Sequence, residues 1–251
     1  MSTVLLFTWL MIALRAAGIV AILPTLGGQP LPPALRVALS IGLATILYGL
    51  VPHADQLPPD IVGLLFAVGG EVVLGLAMGF IGRMVFSAVE MGGRMITQSI
   101  GLGGVPGVDT PRPGQEPLAS SLSTLAGVLF FLSGAHLGAL AAFARSFEFA
   151  PAGLGRFGPA SADVLIQASQ HVIELGFRIA APFIALDFLV NLSFSVMGRA
   201  VPRMNVFIIS FSLRSLVGFA LLATSGTMIA RYLWTEFDEL PIKMLELLPL
   251  Q

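Results

Sequence analysis

Cysteine is absent from the 251 residues. That excludes disulfides, iron–sulfur clusters and thiolate zinc sites, and it leaves the redox compartment open. Charge is nearly as scarce. The chain has 13 Lys and Arg and 14 Asp and Glu, 11% of its residues, where a soluble globular protein carries about 25%. So few charges cannot cover a water-facing surface, which excludes a soluble enzyme of ordinary type. A net charge of −1 and the lack of any basic run exclude an electrostatic nucleic-acid binder. Catalytic signatures are missing as well: there is no H-E-x-x-H, no G-x-S-x-G, no P-loop and no G-x-G-x-x-G. His53, His136 and His171 are too scattered for a metal site, and no cofactor is expected.

What the chain does have is apolar length and backbone punctuation. Hydrophobic residues make up 56%, with 28 Gly and 17 Pro. A plain helical bundle in lipid does not require that much Gly and Pro. Apolar runs of this length read as helices, so the expected class is all-α. The first run spans about Val4 to Leu23 with Arg15 inside it, and reads as a retained membrane segment rather than a signal peptide. A stiff turn with Pro30, Pro32 and Pro33 follows. The second run, Ala34 to Leu50, is short for a crossing. The third, Ile61 to about Ile100, is far longer than one crossing and holds Glu71, Arg83, Glu90 and Arg94. It reads as two helical pieces, or as a helix that leaves the hydrocarbon. Further runs cover Leu118 to Ala144, Ala162 to Val196 with Pro182 as a point of bending, and Val206 to Leu233. A polar tail begins at Trp234. No period of 20–50 residues repeats, and the basic residues outside the runs divide too evenly to set an orientation.

Charges at membrane depth are expensive and usually face protein or water. Glu90 with Arg94, and Glu174 with Arg178, are spaced i, i+4 and can neutralise each other on one helix face. His171 joins the second pair. Asp187, Asn191 and Ser195 form another polar stripe. These stripes read either as glue between helices or as an ion or proton path. Gly75 and Gly79 form a GxxxG that permits close backbone approach. Met78, Met84, Met91 and Met95 suit either a core or an adaptable surface. The segment 101–117, GLGGVPGVDTPRPGQEP, is too rich in Gly and Pro for helix and too apolar for a typical linker. It reads either as an aqueous loop or as irregular backbone lining a conduit.

Several stretches, in order and over nearly the whole chain, match one known pattern. They are RAAGIVAILPTLGGQPLPPALR from Arg15, EVVLGLAMGF from Glu71, GGRMITQSIGL from Gly92 and SGAHLGALAAFARSFEFAP from Ser133. The most specific is APFIALDFLVNLSFSVMGRAVPRMNVFIISF from Ala181, whose Arg199, Pro202, Met204, Asn205 and Val206 fit an Arg-x-x-Pro-x-Met-Asn-Val signature. Together they resemble the family of the flagellar biosynthetic protein FliR and its virulence type III secretion counterpart SctT. One departure is that Thr110 separates Asp109 from Pro111.

The resemblance implies a single export-gate domain over residues 1–251, a FliP-like part joined to a FliQ-like part, embedded in membrane and complex as helical hairpins. It implies a hetero-oligomer with FliP-like, FliQ-like and FlhB-like subunits, in contact with membrane lipid. The place implied is the bacterial inner membrane within the flagellar basal body, and the cargo is unfolded export substrates. It implies no active site and no metal. The central loop, residues 101–117, becomes a plug, with Gly101, Gly103, Gly104, Pro106, Gly107, Asp109, Pro111, Pro113 and Gly114 as its candidate residues. Glu71, Gly75, Gly79, Asp187, Asn191, Arg199 and Pro202 become candidates for packing between subunits. Two other readings stay open: the same gate in a virulence injectisome, and a small-solute secondary transporter supported by the intramembrane Glu, Asp and Arg.

Overall fold

Seven helices and no strand make up the described part of the computed structural model, which covers residues 3–22, 32–52, 57–102, 117–155, 157–200 and 206–248. They are α1 (Thr3–Ile22), α2 (Pro33–Leu47), α3 (Ile61–Ser99), α4 (Pro117–Leu132), α5 (Ala135–Phe149), α6 (Pro159–Ala200) and α7 (Val206–Leu245). The all-α class is as expected from the apolar runs. Four helices are long and apolar enough to cross a membrane, or five if α4 and α5 together form one broken span.

Local signals account for the starts. Pro33 opens α2 at a position where its missing N–H costs nothing. Asp60 caps α3, its carboxylate accepting from the Gly63 N–H at 3.1 Å. The third apolar run is one unbroken helix of 39 residues, not two pieces. At 1.5 Å per residue it is about 58 Å long, nearly twice the hydrocarbon thickness.

The fourth run, in contrast, is two helices. Gly134 sits at φ 74° as the cap of α5, and α4 and α5 meet there at a bend of 66°. α6 continues as one helix through Pro182. α7 also outruns its expected end at Leu233 and carries the acidic tail through Pro241 to Leu245. The reason lies in the tail's spacing: Leu233, Phe237, Leu240 and Met244 recur every three or four residues, and all are buried.

The core centres on α3, which packs against α1, α4, α6 and α7. Its buried face carries Leu74, Met78, Val85, Val89 and Ile96. Met11, Ile12 and Ile19 of α1 meet it on one side. Phe86 of α3, Phe130 of α4 and Phe237 of α7 form a ring cluster with centroids 5.4–5.8 Å apart, edge or tilted contacts that add to burial.

Candidate functional site

Among the described residues, Arg15 is the largest side chain that is fully buried, at 0% exposure. Its guanidinium holds Glu71 in a two-point bond, Nε to Oε2 at 2.6 Å and Nη2 to Oε1 at 3.0 Å. Nη1 donates to the Ser146 hydroxyl at 2.8 Å, and Nη2 also donates to the Ala150 carbonyl at 2.8 Å. Glu71 Oε1 accepts a further bond from the Gly153 N–H at 2.8 Å. The Phe147 ring lies 3.9 Å beneath the guanidinium carbon. Four of the five guanidinium N–H groups and both carboxylate oxygens are bonded, and such satisfaction is the condition under which a buried ion pair is tolerated. The knot ties α1, α3, α5 and the segment after α5 into one body.

Gly75 and Gly79 make their close contact beside this knot, against α1 of the same chain. A Cβ at Gly75 would stand 2.2 Å from the Arg15 carbonyl oxygen, and one at Gly79 would stand 2.9 Å from that of Ile19. Glu71, Gly75 and Gly79 therefore bind the chain to itself, and the close helix contact inferred from the GxxxG is internal.

Asp187 and Asn191 lie on the half of α6 that faces outward. Arg214 of α7 reaches both: its Nε stands 3.0 Å from Asp187 Oδ1, and its Nη2 donates to Asn191 Oδ1. The Arg214–Asp187 contact is an ion pair without hydrogen-bond alignment. Around it the surface is strongly apolar, with Phe188, Leu192 and Val196 on α6 and Leu216 and Phe219 on α7 all at least half exposed. An apolar surface of that extent marks contact with lipid or with other proteins. Arg199 is exposed near the end of α6; Pro202 lies outside the described residues.

A third polar cluster joins α6 to α7. His171 Nε2 and Glu236 Oε1 are 2.7 Å apart, and Lys243 Nζ donates to Glu236 Oε2 at 3.1 Å and to Glu239 at 2.9 Å. The cluster rims a cavity of about 230 Å³ floored by Val85, Ala88 and Leu175. The Glu174–Arg178 pair read from spacing is present at 2.6 Å. Glu90 and Arg94, with the same spacing, form no ion pair with each other or with any other described residue. Sequence reasoning missed Arg15 with Glu71, Arg214 with Asp187 and His171 with Glu236, because in each case the partner lies on another helix. Among the described residues, no group of three or more His, Asp and Glu is placed to hold a metal ion.

Of the nine candidate plug residues, Gly101 alone is among those described, and it terminates α3. At φ 83°, its N–H bonds to the Gln98 carbonyl at 3.1 Å and the Leu102 N–H bonds to that of Thr97 at 2.9 Å, a Schellman ending that favours glycine. α7 holds this end in place. Ser215 donates to the Ile100 carbonyl at 2.9 Å, and the Phe211 ring leaves only 3.2 Å for a Cβ at Gly101. Gly103, Gly104, Pro106, Gly107, Asp109, Pro111, Pro113 and Gly114 lie outside the described residues. The chain thus leaves α3 from an end that α7 anchors.

Comparison with known proteins matches residues 6–240 to the family model described as bacterial export proteins, family 1. Similar proteins include the flagellar biosynthetic protein FliR of Caulobacter vibrioides, 28% identical over 88% of this chain and 89% of that protein. The FliR of Escherichia coli is 26% identical over 94% and 92%. The Yop proteins translocation protein T of Yersinia pestis is 26% identical over 86% and 85%.

Proposed function

Because the chain belongs to the bacterial export proteins of family 1, a family of the flagellar and type III secretion export apparatus, we propose that it is the FliR-type subunit of a flagellar export gate. On this reading it assembles with FliP-like and FliQ-like subunits, meets an FlhB-like subunit, and passes unfolded substrates across the bacterial inner membrane within the flagellar basal body. The observation that carries the proposal is the match over residues 6–240, together with similarity to FliR proteins along nearly their whole length. The role asks the chain for a shaped, movable wall and no chemistry. It gives the outward apolar face of α6 and α7 a use, as a surface for neighbouring subunits or lipid. Asp187, Asn191, Arg199 and Pro202 then belong to subunit packing, and the segment 101–117 to the plug.

The Yersinia relative supports a second reading, the equivalent subunit of a virulence injectisome. The small-solute transporter has less to rest on. Arg15 and Glu71 neutralise each other inside the fold, as do Arg214 and Asp187 on its flank. Neither pair is left open to bind a solute.

Deleting the gene is expected to abolish flagellar filaments and motility, restored by a plasmid copy, while general secretion continues. Normal flagella in a clean deletion would overturn the flagellar reading, and loss of effector secretion instead would favour the injectisome. A tagged copy is expected to bring FliP-like and FliQ-like proteins from detergent extracts, where a transporter would purify alone. Removing Gly103 to Gly114 is expected to raise ion leakage through the assembled complex. Unchanged conductance with assembly intact would count against a plug.

A further inference from the structure

One face of α3 stays exposed or half-buried along the whole helix, and the chemistry of that face changes abruptly. Val62, Leu65, Phe66, Gly69, Val73, Leu76 and Phe80 follow one another at helical spacing on the side opposite the buried Leu74 and Met78. Beyond Phe80 the middle of that row continues as Arg83, Ser87, Glu90, Arg94 and Gln98, while the half-buried Met84 and Met91 lie along its edge toward α6. The switch comes after Ile61–Phe80, about 30 Å of helix, which equals the hydrocarbon thickness.

Resting on the export-gate reading, we infer that Arg83, Ser87, Glu90, Arg94 and Gln98 form a water-facing wall of the conduit, along which the unfolded export polypeptide slides. Neither lipid nor a neighbouring helix suits this row. A charge on a helix in hydrocarbon costs about 2.5–3.5 kcal/mol on insertion scales. A buried helix seam is built of apolar residues in this spacing, and an unpaired charge within it costs more still. Among the described residues, Arg83, Glu90 and Arg94 have no ion-pair partner. Arg83, Arg94 and Gln98 are exposed, with Ser87 and Glu90 half-buried between them. Water satisfies such a row without a partner. Its position fits a path, since the row runs to Gly101, where the candidate plug departs. A hydrated row that carries both signs, with its flanking methionines turned toward α6, holds a passing chain weakly, and transport requires cargo to enter and also to leave.

The absence of cysteine makes the test direct, because every single-cysteine variant carries a unique thiol. Cysteine is placed at 83, 87, 90, 94 and 98, and for comparison at 66 and 73, in the assembled complex purified from membranes. A water-soluble maleimide is expected to label the first set about tenfold faster than the second, as thiol reactivity follows exposure. An export substrate fused to a stably folded domain, stalled in the complex, is expected to slow that labelling. It should also cross-link to the same positions through a photoreactive maleimide. Ser87→Cys and Gln98→Cys keep the test alive if loss of a charge impairs assembly. Labelling without protection or cross-links would place the row in water outside the conduit and overturn the inference. No labelling would place it in a protein seam and also overturn it. If the deletion strain exports normally, the gate reading itself falls; if deletion stops export while the row stays unlinked, only the wall is refuted.

Discussion

Arg15→Ala and Glu71→Ala are each expected to cut the amount of chain accumulating in membranes to a small fraction of the wild-type level, and to make the remainder protease-sensitive. Removing one member of a buried pair leaves the other charged in a place without water, at a cost of about 3–5 kcal/mol. Whole domains are stable by only about 5–15 kcal/mol. The loss spreads beyond the pair. Without Arg15, the Ser146 hydroxyl and the Ala150 carbonyl lose a donor; without Glu71, the Gly153 N–H loses its acceptor. Arg15→Lys is expected to fall between, since an ammonium cannot copy the two-point bond to both Glu71 oxygens. The double variant Arg15→Met with Glu71→Leu is expected to accumulate better than either alanine variant, because no lone charge remains buried. Wild-type levels and protease resistance of Arg15→Ala, measured in membranes, would refute the role given to this knot.

The length of the apolar runs exposed the helices, because burial in lipid or protein draws apolar residues into every turn. Pairing across helices left no such mark. Arg15 and Glu71 are 56 residues apart, and nothing between them says that they meet. Spacing along one helix informs only in part: Glu174 and Arg178 pair at 2.6 Å, whereas Glu90 and Arg94, equally spaced, do not. An i, i+4 register permits a contact, but solvent competes for both side chains and the gain is only about 0.3–0.5 kcal/mol. The break at Ser133–Gly134 was hidden for another reason. It lies within an apolar run, and only the positive φ of Gly134 marks the turn. The end of α7 misled in the opposite sense. Pro241 and the acidic residues signal a stop, yet the buried Phe237, Leu240 and Met244 hold the helix to the core past Leu233. As for the candidate site, the sequence marked Asp187 and Asn191 as a polar stripe and Arg214 as a charge within an apolar run, but not that Arg214 reaches the stripe from α7.

Gly75→Leu is expected to prevent assembly of the complex, and even Gly75→Ala is expected to reduce its yield severely. A Cβ at this position would lie 2.2 Å from the Arg15 carbonyl oxygen and 3.0 Å from its carbonyl carbon. Both are main-chain atoms, so no rotamer change can relieve the overlap. α1 must move off α3 by more than an ångström to restore contact at about 3.5 Å. Overpacking alone costs about 1–3 kcal/mol. The displacement would also draw Arg15 away from Glu71, so the two effects are coupled rather than independent. Gly18 and Gly79 mark the same seam, where a Cβ would come within 2.7 Å and 2.9 Å of the opposite backbone. Gly82 provides the control on the same helix. A Cβ there would meet nothing within 4 Å, and alanine favours helix over glycine by about 1 kcal/mol. Gly82→Ala is therefore expected to match or exceed wild-type yield. Yields of tagged complex from the three variants, compared in one detergent, decide the matter. Equal yields from Gly75→Ala and Gly82→Ala would show that the α1–α3 seam has room to spare and refute its role as the tight joint beside the Arg15 knot.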